Sequence, residues 1–371
     1  MHSNAKELMI NPFKLSRVAL LEYVGSMDQV VGINRSHLVE GKAKGVEAIH
    51  LETGSGFSFT VLADRALDLT EASFCGKSLC WKSSAGIVAP SYYERKGSGW
   101  LRGFGGGMLV TCGIRNVGPA SEEGWETYGL HGEISYSPAT QVSTFSNWNA
   151  STYQMGVSGV VKEAYPFGPN LSLRRTWRTE MGANWVELDD VVTNEGFRPE
   201  IHMHLYHWNF GFPLVNSRSR LYLTTDTVVP RDEIAKRGLS KWNYLEPPTQ
   251  DFAEQVFFHS FESQLPERTS ALLISDEAEP SFGVELTYSP AQLPCLLEWK
   301  LCGKGEYVLG IEPGNCLVGG RDWFRRQQLP LLQPGETRRF QLRLSVLDTA
   351  AAIAAASEKY PARDNKSGWV T

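Results

Sequence analysis

With 371 residues, 42% of them hydrophobic and 11% aromatic, the chain can bury a large core and is excluded from the disordered and fibrous classes. Thirty-six lysines and arginines against 41 acidic residues give a net charge of −5 with no basic block, which removes the electrostatic footing of a nucleic-acid binder. No window approaches the roughly 20 apolar residues of a membrane span, and MHSNAKELMINPFKL lacks the basic-then-apolar order of a secretory signal, so a cytoplasmic protein is expected.

Residues 1–35 read as a lead segment, with a short helix near 5–9 followed by a loop or sheet edge. From Gly45 the pattern changes to short apolar or alternating runs bounded by Gly, Pro, Asn and Asp, which predicts antiparallel strands. Segments 46–52 and 57–63 form a hairpin across Thr53-Gly54-Ser55-Gly56, with Asp64-Arg65 at its end. The region from Cys75 to Asn116 contains GSGWLRGFGGGMLVTCGIRN, without the GxxxxGK[ST] order of a phosphate cradle; its glycines read as tight turns and close backbone approaches. Further strands are expected at 156–164, 171–180, 185–193, 201–209, 220–225, 271–275, 283–288, 296–301, 307–311 and 338–346. So many strands exceed what one flat sheet holds, so an all-β fold of two packed antiparallel sheets is predicted. The alanine-rich run TAAAIAAASEKY predicts a C-terminal helix, capped by Asp348 or Thr349 and ended by Pro361; 362–371 form a polar tail. Length would allow two domains, but no Pro/Ser/Gly linker divides the chain, and one domain over 1–371 is expected.

Chemistry concentrates in HMHLYHWNFGFPL at 202–214, which holds three of the eight histidines. An imidazole titrates close enough to neutrality to give or take a proton there. In an extended strand His202, His204 and Tyr206 share one face, while Met203, Leu205 and His207 share the other. Glu312 closes the apolar run 307–311 just before Pro313 and Gly314, a rim position at which a carboxylate can serve as a base if a neighbouring strand brings an acid opposite; His207 is the natural partner. YGLHGE supplies His131 as a third polar group. Beside these readings stand plainer ones. A Glu before Pro-Gly often meets only solvent, a lone core histidine is often structural, and most arginines, Arg102 included, are surface ions. The six cysteines, Cys75, Cys80, Cys112, Cys295, Cys302 and Cys316, lack C-x-x-C spacing and read as free thiols, with no disulfide and no zinc knuckle.

Asn116 with Leu130-His131-Gly132, then Tyr206-His207-Trp208-Asn209-Phe210, then Ile311-Glu312-Pro313 form an ordered set that resembles the aldose 1-epimerase (galactose mutarotase-like) family, over about Gly56 to Leu347. The family's His-x-Tyr-Phe-Asn is here His-Trp-Asn-Phe-Gly, and its Leu-His-Gly-Gly ends in Glu133, which points to a divergent branch. The resemblance implies a large antiparallel sandwich of the galactose mutarotase type. It implies Glu312 and His207 as the catalytic pair and a small-molecule sugar as the partner, with His131, Arg65 of ADRALDL, Asn116, Asn209, Trp208 and His259 of FFHSF as substrate ligands. Glu254 and His259 fall near the place of the family's acidic sugar ligand. Trp81, Trp100, Trp125, Trp208 and Trp323 are candidates to stack on sugar rings, although most tryptophans belong to cores.

The implied reaction has the Glu312 carboxylate remove the anomeric O1 proton while protonated His207 donates to the ring oxygen. The ring opens to the aldehyde, rotates about C1–C2 and recloses, with no metal or redox cofactor required. That start needs both groups charged near neutral pH, which proximity favours and burial opposes. Two other readings stay open: a metal-dependent lyase or isomerase using His202-x-His204, and a carbohydrate-binding protein without turnover. Edge strands of the sandwich could pair across a homodimer.

Overall fold

The computed structural model describes residues 10–261, 265–279 and 281–360; the helix expected at 5–9 and the tail 362–371 lie outside them. An eight-stranded antiparallel sheet runs in the order Arg220–Leu223, Thr269–Ile274, Gly283–Tyr288, Thr337–Leu347, Trp185–Asn194, Asn170–Glu180, Thr152–Ala164 and Thr140–Asn149. A six-stranded antiparallel sheet runs in the order Thr227–Pro230, Gln255–Ser260, Cys295–Gly303, Glu306–Gly314, Met203–Gly211 and Leu109–Ile114. A five-stranded sheet is built from consecutive chain, Gly32–His37 to Lys77–Ser78. The packed antiparallel sheets expected from the sequence are the observed architecture, with the five-stranded sheet added to them.

Side-chain alternation explains how the sheets meet. Along Trp185–Asn194 every second residue, among them Val186, Leu188 and Val192, is buried while the others are partly exposed, as in a strand with one dry face. Met203–Gly211 is buried at all nine positions, because it is central in its sheet and covered on both sides. Its inner side chains Tyr206, Trp208 and Phe210 join Phe59 and Leu69 of the five-stranded sheet and Trp177, Leu188 and Phe340 of the eight-stranded sheet in one core. Its outer side chains Met203 and Leu205 join Val110, Cys112, Leu297, Trp100 and Phe104 in a second apolar layer. The six-stranded sheet therefore has a second buried face, roofed by loops, and that face holds His207 and Glu312.

Those loops come from the Gly-rich region. It supplies a short 3-10 turn, Gly99–Gly103, and also the strand Leu109–Ile114, which the sequence reading treated as loop. Gly113 in that strand has φ 129°, and a Cβ there would collide with the carbonyl of Met203 on the adjacent strand. At the other end of the chain the helix Ala350–Ser357 is capped by Thr349, which accepts from the Ala352 amide at 3.1 Å. Ile353 and Ala356 dock it on Leu272 and Ile274. No helix among the described residues is long and apolar enough to cross a membrane.

Candidate active site

Register brings the two principal groups together. Trp208 pairs with Ile311 in the antiparallel ladder, so His207 and Glu312 lie side by side on the outer face of the six-stranded sheet. His207 Nε2 stands 3.2 Å from Glu312 Oε1, and only 6% of His207 and 3% of Glu312 remain exposed. The approach is close but not aligned as a hydrogen bond, and Glu312 Oε1 has no hydrogen-bond partner among the described residues. On the next strand Leu297 lies opposite Glu312 and Trp299 opposite Gly310. A Cβ at Gly310 would sit 2.7 Å from Glu312 Oε1 and 3.0 Å from Trp299 Cβ, so the bare glycine leaves the room the carboxyl group occupies.

Aromatic rings wall this dyad. Trp299 meets His207 edge-on at 5.3 Å between ring centroids, and Phe104 lies 5.4 Å from it. Trp100 stacks on Phe104 at 4.5 Å and reaches His131 at 5.1 Å, and Trp81 fills the angle between Phe104 and Trp299. His131 stands 6.3 Å from His207, ring to ring. Its backbone is left-handed, with φ 56°, and pinned on both sides: its N–H donates to the Gly118 carbonyl and its own carbonyl accepts from Gly113 N–H, each at 2.9 Å. Beyond Trp299, Glu254 accepts from its Nε1 and from Arg231, both at 2.9 Å.

Burial sets the charge state. It lifts the Glu312 carboxyl to about 8, helped by the negative charge of Glu254 and opposed by Arg231. It pushes the His207 imidazole down to about 3, with His131 nearby adding to the effect and the Asn209 side chain opposing it. His131 is pushed down to about 4 by the same loss of solvent. At neutral pH both imidazoles are therefore uncharged and Glu312 keeps its proton. The charged pair expected from sequence gives way to a neutral pair, because the apolar roof outweighs mutual attraction.

Of the other residues singled out in the sequence, Asn209 lies beside His207 on the same strand face. Its amide donates to the carbonyls of His207 and Gly107 at 2.9 and 3.1 Å, which fixes the local backbone. Asn116 is 1% exposed and donates to the carbonyls of Gly129 and Pro119 at 2.7 and 3.0 Å, so it shapes the loop that presents His131. Arg65 does not reach the dyad. Its buried guanidinium donates to the carbonyls of Ser135, Val88 and Gly103 and lies over the Tyr136 ring at 4.0 Å, which makes it a brace for the roof loops. Trp208 points the opposite way from His207 and meets Trp177 edge-on in the main core at 6.3 Å. His259 also faces away from the dyad, 3.1 Å from the buried Glu298 and against Trp242. Neither Trp208 nor His259 can touch a ligand at the dyad, because each sits at the opposite parity of its strand.

Trp125 is 80% exposed and packs on Tyr165, away from the dyad, and Arg102 pairs with Glu94 at 3.3 Å on the surface. His202 and His204 face the main core, His204 stacked on Phe340 at 5.2 Å, and burial holds His202 down at about 3. Among the described residues no three His, Cys, Asp or Glu side chains group so as to hold a metal ion. Sequence reasoning missed Phe104, Trp299 and Arg231. None carries a local motif; cross-strand register and a roof loop bring them in.

The comparisons agree with this architecture. The family model described as domain of unknown function (DUF4432) matches residues 43–346. A candidate aldose 1-epimerase from Klebsiella pneumoniae subsp. pneumoniae MGH 78578 superposes with a TM-score of 0.83 at 29% identity, over 90% of this chain and 89% of that one. A galactose mutarotase-like protein from Clostridium acetobutylicum gives a TM-score of 0.58 at 14% identity, over 86% of this chain and all (100%) of that one. The galactose 1-epimerase of Lactobacillus acidophilus NCFM gives 0.53 at 13% identity, over 85% and 98%. The last two show likeness of fold alone. No curated protein matches the sequence.

Proposed function

From the premise that this chain belongs to the DUF4432 family and has the galactose mutarotase-like fold, we propose that it is an aldose 1-epimerase. It interconverts the anomers of a sugar by acid/base ring opening at Glu312 and His207. The observation that carries the reading is the buried pair itself: a carboxyl and an imidazole 3.2 Å apart, walled by aromatic rings, with one carboxyl oxygen left without a partner among the described residues.

Ring opening breaks the C1–O5 bond and forms the C1=O1 double bond, so one proton must leave O1 and one must arrive at O5. A dyad holding a single proton has that stoichiometry. Burial favours protonated Glu312 beside neutral His207; transfer across the 3.2 Å gap gives the carboxylate and imidazolium. From that form Glu312 removes the O1 proton while His207 donates to O5. After rotation about C1–C2 the same groups run in reverse and close the ring as the other anomer. Walls that exclude water hold the sugar in reach of both groups and strengthen each electrostatic contact. His131 is the third polar group in the cleft and supports a sugar hydroxyl.

The test is NMR magnetisation exchange between anomers across a panel of sugars, in wild type and in Glu312→Gln. Accelerated exchange that falls by about 10²–10⁴-fold in the variant is expected, the usual contribution of a positioned acid or base. Exchange that survives the substitution, or no acceleration with any sugar, would remove the reading.

A further inference from the structure

We infer that the strand Thr140–Asn149 is a pairing edge occupied by a second copy of this chain, antiparallel about a two-fold axis, so that the eight-stranded sheet continues across a homodimer. The first observation is one of charge. Residues 134–161 contain no Asp, Glu, Lys, Arg or His over 28 consecutive positions, in a chain of which 21% is Asp, Glu, Lys or Arg. A buried strand lacks charge for an ordinary reason, but this stretch includes a strand at the surface. Ser143, Ser146, Asn147 and Asn149 are exposed, and no residue of Thr140–Asn149 is fully buried.

An edge strand offers unpaired N–H and C=O groups to any strand that approaches, and proteins block this with short strands, charges, proline or a covering segment. The other edges of the three large sheets are blocked in these ways. Arg220–Leu223 has four residues, and Leu221 N–H donates to the Asn243 carbonyl at 3.1 Å. Thr227–Pro230 is equally short and ends in proline. In Leu109–Ile114 the Thr111 and Gly113 N–H groups donate to the Asp68 carboxylate and the His131 carbonyl, at 3.0 and 2.9 Å. Gly32–His37 carries Arg35, and Lys77–Ser78 is two residues long. Thr140–Asn149 has ten residues and none of these devices, and among the described residues its backbone pairs with Thr152–Ala164 alone. A bulge between Ser158 and Val160 disturbs its start; from Ser143 to Asn149 the register is unbroken.

Its chemistry favours its own copy as the occupant. In a two-fold antiparallel pair every side chain faces one from the same strand, so a charge of either sign would meet its like. An uncharged strand escapes that repulsion, which matters where two copies of net charge −5 approach. Val142 packs against the main core, so Ser143, Phe145 and Asn147 face the other way. Phe145 lies back over Gly156 of the neighbouring strand, where a Cβ would collide with its ring. The bulk on that face is thereby drawn away from the free backbone.

The test is molar mass by sedimentation equilibrium from about 1 to about 100 μM, the range in which contacts of modest area dissociate. Wild type should move from 41.3 kDa towards twice that mass. Ser143→Lys with Asn147→Lys puts like charges on both facing strands and should weaken the dimer by about tenfold or more, with circular dichroism unchanged. Ser143→Glu with Asn147→Glu should do the same, and mixing the Lys and Glu proteins should restore a dimer. In wild type, deuterium uptake by the 140–149 peptide should fall as concentration rises. A wild type that stays monomeric throughout, or a dimer indifferent to both charge variants, overturns the inference. A monomer whose 140–149 amides are nonetheless as protected as those of the inner strands would assign the edge to another segment of the same chain, and overturns it too.

Discussion

Because Glu312 loses its proton only near 8 and His207 gains one only near 3, the dyad holds a single proton across the whole interval between. Anomer exchange should accordingly be flat through neutrality, fall above about pH 8 as Glu312 ionises without protonating His207, and fall again only near pH 3. A pH–rate profile checks it; a descending limb near 6.5, where an ordinary histidine titrates, would contradict the burial argument. The same shift is a statement about stability. The native Glu312 pKa lies above its ordinary value of 4.5, so its contribution is fully present below 4.5 and is lost as pH rises towards 8. Glu312→Gln should therefore gain Tm relative to wild type between about pH 6 and about pH 9. Differential scanning calorimetry at the two pH values measures it. Glu312 and His207 stood out in the sequence as polar residues in apolar strands, and His131 as a polar group flanked by Gly in YGLHGE. Their protonation was not legible there, since desolvation depends on Trp100 and Phe104, which arrive from a loop some 100 residues upstream of His207.

At the scale of elements, the dyad's geometry rests on the ladder between Cys295–Gly303 and Glu306–Gly314, which sets Trp299 opposite a residue without a side chain. In Gly310→Ala the new Cβ would meet Glu312 Oε1 at 2.7 Å and Trp299 Cβ at 3.0 Å, so the carboxyl or the indole must move. Overpacking of that kind costs about 1–3 kcal/mol, while displacement of a reacting group by about 1 Å costs about 10²-fold in rate. The variant should thus stay folded by circular dichroism and lose far more kcat than stability. Arg65 acts on a different element. Replacing it with Met strips the carbonyls of Ser135, Val88 and Gly103 of their shared donor, and hydrogen bonds to charged groups are worth about 1.5–3 kcal/mol each. A lower Tm together with faster acrylamide quenching of tryptophan fluorescence, reporting a loosened Trp100 roof, is the expected result. Strands with one wet face, such as Trp185–Asn194, announced themselves by alternation. Leu109–Ile114 did not, because it is buried at every position and carries a glycine that the packing demands, and both features erase the period-two signal.

At the scale of the whole molecule, an all-β sandwich with a C-terminal helix could be read from strand count and capping, but the polar tie buried within the core that joins the sheets could not. Arg175 of the eight-stranded sheet is fully buried, donates to both oxygens of Asp190 at 2.9 and 2.7 Å, and reaches Asp68 at 2.7 Å and Thr111 at 2.8 Å. Asp68 opens a strand of the five-stranded sheet, and Thr111 belongs to the six-stranded sheet. Tyr206, next to His207 but on the inner face, donates to Asp190 at 2.7 Å and closes the network. One guanidinium therefore ties all three sheets directly beneath the dyad. Arg175→Met keeps the bulk but leaves two buried carboxylates without their cation, and breaking a buried pair from one side costs about 3–5 kcal/mol. The charge argument makes the loss pH-dependent. Burial already raises the Asp68 pKa against the pull of Arg175, and without that pull it rises further, so acid should relieve the strain by protonating the orphan carboxylate. The variant's deficit in urea-unfolding free energy should shrink from about pH 8 to about pH 5, and adding Asp190→Asn should recover part of it at the higher pH. A deficit that is the same at both values, and untouched by the second substitution, would mean that packing rather than this ionic joint holds the three sheets in register.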